Sequence, residues 1–136
     1  MKNKKKNIGK IIIPSSTNIW PHELKTAKAL IRYGHIVEFK VKNEEYKVHS
    51  ADAFIDGEIW EFKSPNGNKL SLVEKNLRRA KNQSCSIVFD SLRVKDIPDF
   101  AIEREILSKA PKITAIDRII FINRHRECID IYKKIN

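Results

Sequence analysis

Ser50-Ala51-Asp52-Ala53-Phe54-Ile55-Asp56-Gly57-Glu58-Ile59-Trp60-Glu61-Phe62-Lys63 reads as a β-hairpin that turns at Asp56-Gly57. Asp-Gly between alternating apolar residues is a strong short-range hairpin signal, because a tight two-residue turn asks for positive φ at both positions. Such a turn fixes the register. Ile55 then faces Glu58, Phe54 faces Ile59, Ala53 faces Trp60, Asp52 faces Glu61 and Ser50 faces Lys63. Directly opposed side chains have Cβ atoms about 5 Å apart, and like charges there repel. Phe54 and Ile59 share a face with Asp52, Glu61 and Lys63, while Ile55, Trp60 and Phe62 occupy the other. A strand apolar on both faces is expected to be covered on both. Two carboxylates are thereby drawn out of water, where ionised groups need a partner or a metal. A divalent cation between Asp52 and Glu61, with Lys63 beside it, meets that need. The plainer explanation is a surface ladder in which Lys63 neutralises one acid.

Working outward, residues 1–10 hold five lysines and no acid, which suggests a basic arm over residues 1–17 ahead of a single domain over residues 18–136. A first helix is expected from Pro21 to Tyr33, with proline in the first turn and Gly34 past the end. Its buried stripe is predicted at Trp20, Leu24, Ala27 and Ile31, with Glu23 one residue away and able to look inward. Ile36 to Val41 alternates as a strand, with Val37, Phe39 and Val41 on one face. Tyr46 to Ser50 leads into the hairpin, and His49 points away from the side of Asp52. After Lys63 comes a loop, Ser64-Pro65-Asn66-Gly67-Asn68, and then Ser71-x-x-Glu74, a capping-box pattern opening a helix to about Asn82. That helix is basic: with Lys69 before it, Lys75, Arg78 and Arg79 make a surface suited to phosphates, and Ser64 is placed to touch one. Cys85 to Phe89 reads as a buried strand. A third helix is expected over Pro98 to Lys109, facing inward through Phe100, Ile102, Ile106 and Leu107. Arg118 to Ile122 and Cys128 to Tyr132 close the chain as two strands. This order predicts an α/β fold with a central mixed sheet flanked by helices.

The chain has 136 residues, with 27 Lys plus Arg against 17 acids, a formal charge of +10. That balance points to a polyanionic partner, and nucleic acid leads because no apolar run is long enough to span a bilayer. Cys85 and Cys128 sit in apolar runs without ligand spacing and are expected to be small buried hydrophobes. Four glycines and no glycine-rich phosphate loop argue against a nucleotide-binding fold.

Asp52 followed by Glu61-x-Lys63 resembles the PD-(D/E)XK nuclease core, in which an acid on one strand and an acid-x-lysine on the next hold a catalytic metal. Ala51 stands where that pattern's name places proline. The longer text from Ala51 through Pro65 resembles the C-terminal tRNase domain of contact-dependent growth inhibition toxins. Trp20-Pro21-His22-Glu23, Tyr33 to Phe39 and Asn76-Leu77-Arg78-Arg79-Ala80 extend the likeness. The resemblance implies a metal-dependent endonuclease with Glu23, Asp52, Glu61 and Lys63 as catalytic residues. It also implies tRNA as substrate and, together with the charge, an acidic immunity protein as partner. It places action in the cytoplasm of the producing or a target cell, with delivery by a route this chain does not encode. Carboxylate chemistry suggests Mg²⁺, or Mn²⁺ or Zn²⁺, held by Asp52, Glu61 and the carbonyl of Phe62. Two other readings stay open: a DNA endonuclease of a mobile element, and a non-catalytic nucleic-acid-binding module.

Overall fold

A computed structural model describes residues 7–15, 17–41 and 52–135. The elements are β1 (Lys10–Ile12), α1 (Pro21–Ile31), β2 (Ile36–Phe39), β3 (Ala53–Ile55), β4 (Glu58–Lys63), α2 (Ser71–Ala80), β5 (Ser86–Asp90), α3 (Asp99–Lys109), a 3₁₀ turn (Ala110–Lys112), β6 (Arg118–Ile122) and β7 (Cys128–Lys133). The strands make one mixed sheet whose spatial order follows the sequence order, β1 to β7. β1 and β2, β4 and β5, and β5 and β6 pair parallel; the other neighbours pair antiparallel. Each parallel step is bridged by a helix, as parallel strands require. The α/β class expected from the sequence is the one observed.

The hairpin has the register its turn dictates, with Ala53 opposite Trp60, Phe54 opposite Ile59 and Ile55 opposite Glu58. Asp56 and Gly57 both take positive φ, at 51° and 86°. Asp56 also fastens the hairpin tip to its neighbour: its carboxylate accepts the Ile36 N–H at 2.9 Å and meets His35 Nδ1 at 2.7 Å. Those two contacts hold the Asp56 carboxyl below its ordinary range, although partial desolvation acts the other way.

Two cores lie on opposite sides of the sheet, because successive strand residues alternate in direction. One joins Ala27 and Leu30 of α1 to Val37, Phe39, Ala53, Ile55, Trp60, Phe62 and Val88. The other joins Val73 and Leu77 of α2 and Ile102 and Ile106 of α3 to Ile87, Phe89, Ile119 and Phe121. Alternation along β4 therefore points Trp60 and Phe62 toward α1, and Glu61 and Lys63 toward α2.

Several expectations need correction. Residues Lys10–Ile12, read as part of the basic arm, form an edge strand pairing with β2; residues 1–6 and 42–51, including the expected strand and His49, lie outside the described residues. The buried stripe of α1 is Glu23, Thr26, Ala27, Ala29 and Leu30, and Trp20 stands in solvent. Trp20 precedes the first helical turn, so the stripe begins at Glu23. The residue flanking α2 at its N-terminus is Leu70, with no side-chain cap, so Ser71 begins the helix and Glu74 turns to Arg78 and Lys109 instead of forming the capping box. Phe100 and Leu107 are exposed, leaving Ile102 and Ile106 as the buried face of α3. Val41 falls beyond β2 and is exposed, and Cys85 is exposed just before β5. The hairpin is covered on the Trp60 side, but Ile59 near its tip is open to solvent, so cover on the Asp52 side begins only at Glu61.

Candidate active site

Asp52 precedes β3, and its Oδ2 accepts the N–H of Phe62 at 2.9 Å. That bond seats one acid on the backbone of β4 between Glu61 and Lys63. The ring of Phe62 goes to the opposite side and packs edge-on to Phe39, with centroids 6.0 Å apart. Glu61 is 6% exposed, and Lys63 Nζ approaches its Oε2 at 3.5 Å. The other oxygen, Oε1, is buried and has no hydrogen-bond partner among the described residues. Burial, and after it the charge of Asp52, push the Glu61 carboxyl up to about 8 against the pull of Lys63. The repulsion predicted from the register is thus present, and the lysine only partly offsets it. A carboxylate pair with one desolvated, unsatisfied oxygen has the donor chemistry of a site for a hard divalent cation.

Asp52, Glu61, Phe62 and Lys63 are brought together as expected. Glu23 is buried, but on the helix of the opposite face, and its Oε1 accepts the Trp20 N–H at 3.1 Å across the first turn of α1. Among the described residues no three His, Cys, Asp or Glu side chains converge as a metal site. One turn further along α1, Thr26 Oγ1 donates to Asp90 Oδ2 at 2.7 Å. Asp90 ends β5 one residue beyond Phe89, the partner of Lys63 in the ladder. The buried face of α1 therefore meets the sheet where β4 and β5 end.

Of the residues expected to touch nucleic acid, Lys69, Lys75 and Arg79 are exposed, and Arg78 is exposed but bonded to Glu74 at 2.9 Å. Ser64 presents its carbonyl to Arg93, whose Nε and Nη2 donate at 2.9 and 2.7 Å, while its hydroxyl is buried without a partner among the described residues. Arg93 was not singled out in the sequence, where nothing marks it. Asp90 was also passed over. It is fully buried, gripped by both terminal nitrogens of Arg126 at 2.8 Å each, and it accepts the Leu92 N–H. Its signal was a lone acid ending an apolar run, Ile87-Val88-Phe89-Asp90. Its partner sits in the β6–β7 turn at a φ of 65°, which local pattern does not foretell.

The fold and this site define a basic α/β protein with a carboxylate pair, Glu61 buried and Asp52 half-buried, and a lysine at the end of a hairpin strand. The chain matches the family described as contact-dependent growth inhibition CdiA C-terminal domain over residues 49–128, more than half its length, and it belongs to that family. The match takes in Asp52, Glu61, Lys63 and α2 but not Trp20 or Glu23. No curated protein sequence matches. Among solved structures, a CdiA-CT/CdiI toxin and immunity complex from Burkholderia pseudomallei shares the fold, with a TM-score of 0.65 at 19% identity over 88% of this chain and 96% of that one. Among the described residues, no helix is long and apolar enough to cross a membrane.

Proposed function

We propose that this toxin-family domain is a metal-dependent endonuclease of PD-(D/E)XK type that hydrolyses phosphodiester bonds, with tRNA as its substrate. The observation that carries the reading is the buried Glu61 carboxylate, with one oxygen unsatisfied and Asp52 and Lys63 at its side. Asp52, Glu61 and the carbonyl of Phe62 would hold the cation, Mg²⁺ being the first choice for oxygen donors. Bound there, a divalent cation supplies Lewis acidity toward a phosphate oxygen and lowers the pKa of water.

The chain's own groups do the remaining work. Lys63, kept close by Glu61, directs its ammonium toward charge that develops on the phosphate as water attacks. Glu23 orients water from the α1 side. The basic surface of Lys69, Lys75, Arg78 and Arg79 draws in the polyanion through salt-sensitive contacts. Hydrolysis by water forms one P–O bond and breaks another, leaving a 5′-phosphate and a 3′-hydroxyl; attack by a ribose 2′-hydroxyl would leave a cyclic phosphate instead. By analogy with the toxin and immunity complex, an acidic immunity protein would cover this +10 surface. Action inside a target cell follows from the family's role in growth inhibition.

Purified protein incubated with total tRNA, plasmid and linear DNA, each with Mg²⁺ or with EDTA, tests the reading. Cleavage of tRNA with Mg²⁺ and none with EDTA is expected. Cleavage of DNA but not tRNA would move the protein to the DNA endonuclease class, and binding without cleavage under any condition would leave a nucleic-acid-binding module.

A further inference from the structure

Trp20, which sits just ahead of the first turn of α1, is 64% exposed, whereas the chain's other tryptophan, Trp60, is 5% exposed in the core. Phe100 is exposed as well, but an indole offers the broader aromatic face for a partner to stack on. Trp20 is not isolated. Its ring lies over that of His22, with centroids 6.3 Å apart and planes 20° from parallel, so the two already form a flat stack. With Pro21, Lys25, Leu92 and Arg93 they line an open cleft of about 560 Å³. None of these six residues is acidic.

The cleft runs from Glu23 to the residue that follows Lys63. Trp20 donates its N–H to Glu23, and Arg93 is clamped through Nε and Nη2 on the carbonyl of Ser64, the residue after Lys63. Arg93 Nη1 takes part in neither clamp bond, and Lys25 is exposed on α1. We infer that this cleft is a stacking subsite for an unpaired nucleobase of the substrate strand, with Lys25 and Arg93 beside the flanking phosphates. A base laid on the indole extends the Trp20–His22 stack, and the held guanidinium of Arg93, with exposed Lys25 across the cleft, suits the phosphates on either side of that base. The occupant is an unpaired base because a duplex keeps its base faces stacked internally, while loops and single strands offer them to aromatic side chains. The inference rests on the phosphodiester reading for its ligand but not on catalysis.

Binding is measured with the full chain carrying Lys63→Ala, so that no strand is cut, alone and combined with Trp20→Ala or Trp20→Phe. The probes are a single-stranded RNA oligonucleotide, the same strand with abasic residues, and a duplex of equal length. Trp20 contributes to α1 through its backbone N–H, which alanine retains, so the variants are expected to fold; their circular dichroism checks this. The expected result is quenched indole emission with the base-carrying strand, and affinity for it lower by roughly tenfold in Trp20→Ala, in line with stacking contributions elsewhere. Trp20→Phe should keep most of that affinity, and the abasic strand and duplex should be nearly insensitive to Trp20. Equal affinities of Lys63→Ala with and without Trp20→Ala for the base-carrying strand would overturn the subsite. So would equal quenching by the abasic strand, which would reduce the cleft to phosphate attraction. Cleavage by the Lys63 protein is scored separately. Stacking without cleavage sinks the nuclease reading alone, and cleavage without stacking sinks the subsite alone.

Discussion

Lys63 Nζ lies 3.5 Å from Glu61 Oε2, while Oε1 of the same carboxylate is buried and unsatisfied. One oxygen thus faces an ammonium, and among the described residues the other meets no group that neutralises it. Lys63→Ala and Glu61→Gln are each expected to lower cleavage about 10²-fold or more, the scale of losing one group that stabilises transition-state charge. Initial rates on end-labelled tRNA, with circular dichroism as a check on folding, measure this. A Glu61→Gln protein as active as the parent would show that the chemistry happens elsewhere.

The raised Glu61 carboxyl, at about 8, makes stability depend on pH when no divalent cation is present. Between the ordinary glutamate range near 4.5 and about 8 the folded state holds a proton that the unfolded state has released. Stability from this group is therefore full below about 4.5 and declines as pH rises to about 8, by an amount on the order of a few kcal/mol. Urea unfolding in EDTA across this window should show a downward slope that Glu61→Gln largely removes. A parent curve parallel to the Glu61→Gln curve would refute it.

Asp90 and Arg126 form a two-pronged pair with both contacts at 2.8 Å, and the Asp90 carboxylate is 1% exposed. Arg126→Ala should cost about 3 kcal/mol, since it strands a buried charge. Thr26→Val removes a hydroxyl shared between the same acid and the His22 carbonyl and should cost about 1 kcal/mol. Denaturant midpoints at constant m rank the two, and an Arg126→Ala protein as stable as the parent would contradict it.

The thiols should separate by reactivity. Burial, with added push from Asp90 and Asp130, raises the Cys128 thiol to about 12 despite the nearby Arg126, and its Sγ leans on the Ala29 carbonyl. At pH 8 almost none of it is thiolate, the nucleophilic form. Exposed Cys85 should take up iodoacetamide first, with Cys128 reacting only as the chain unfolds. Mass spectrometry of tryptic peptides over time reads the order, and simultaneous labelling in the folded protein would contradict it.

The hairpin and the acid pair were legible because a two-residue turn leaves no freedom in register: once Asp56-Gly57 is placed, Asp52 must meet Glu61. The sheet's α/β order was legible from apolar runs separated by helical spacing. What failed was decided by position along an element or by tertiary neighbours. Trp20 and Phe100 have the hydrophobicity of core residues but sit at helix starts, where the surface curves away. Ser71 and Glu74 have the spacing of a capping box, yet Arg78 and Lys109 offer Glu74 opposite charges and take it. Arg93 and Arg126 gain their roles from partners 29 and 36 residues away, and no local pattern encodes such distances.

Each strand of this sheet lies next to the strand that follows it in the chain, from one edge to the other. No strand has to wait for a distant segment before it can dock, so the sheet can grow by accretion from any hairpin or helix-linked pair. Such wiring keeps the loops closed during folding short, which favours rapid folding for a mixed sheet. A chain unfolded in denaturant should therefore regain this sheet quickly once diluted into buffer.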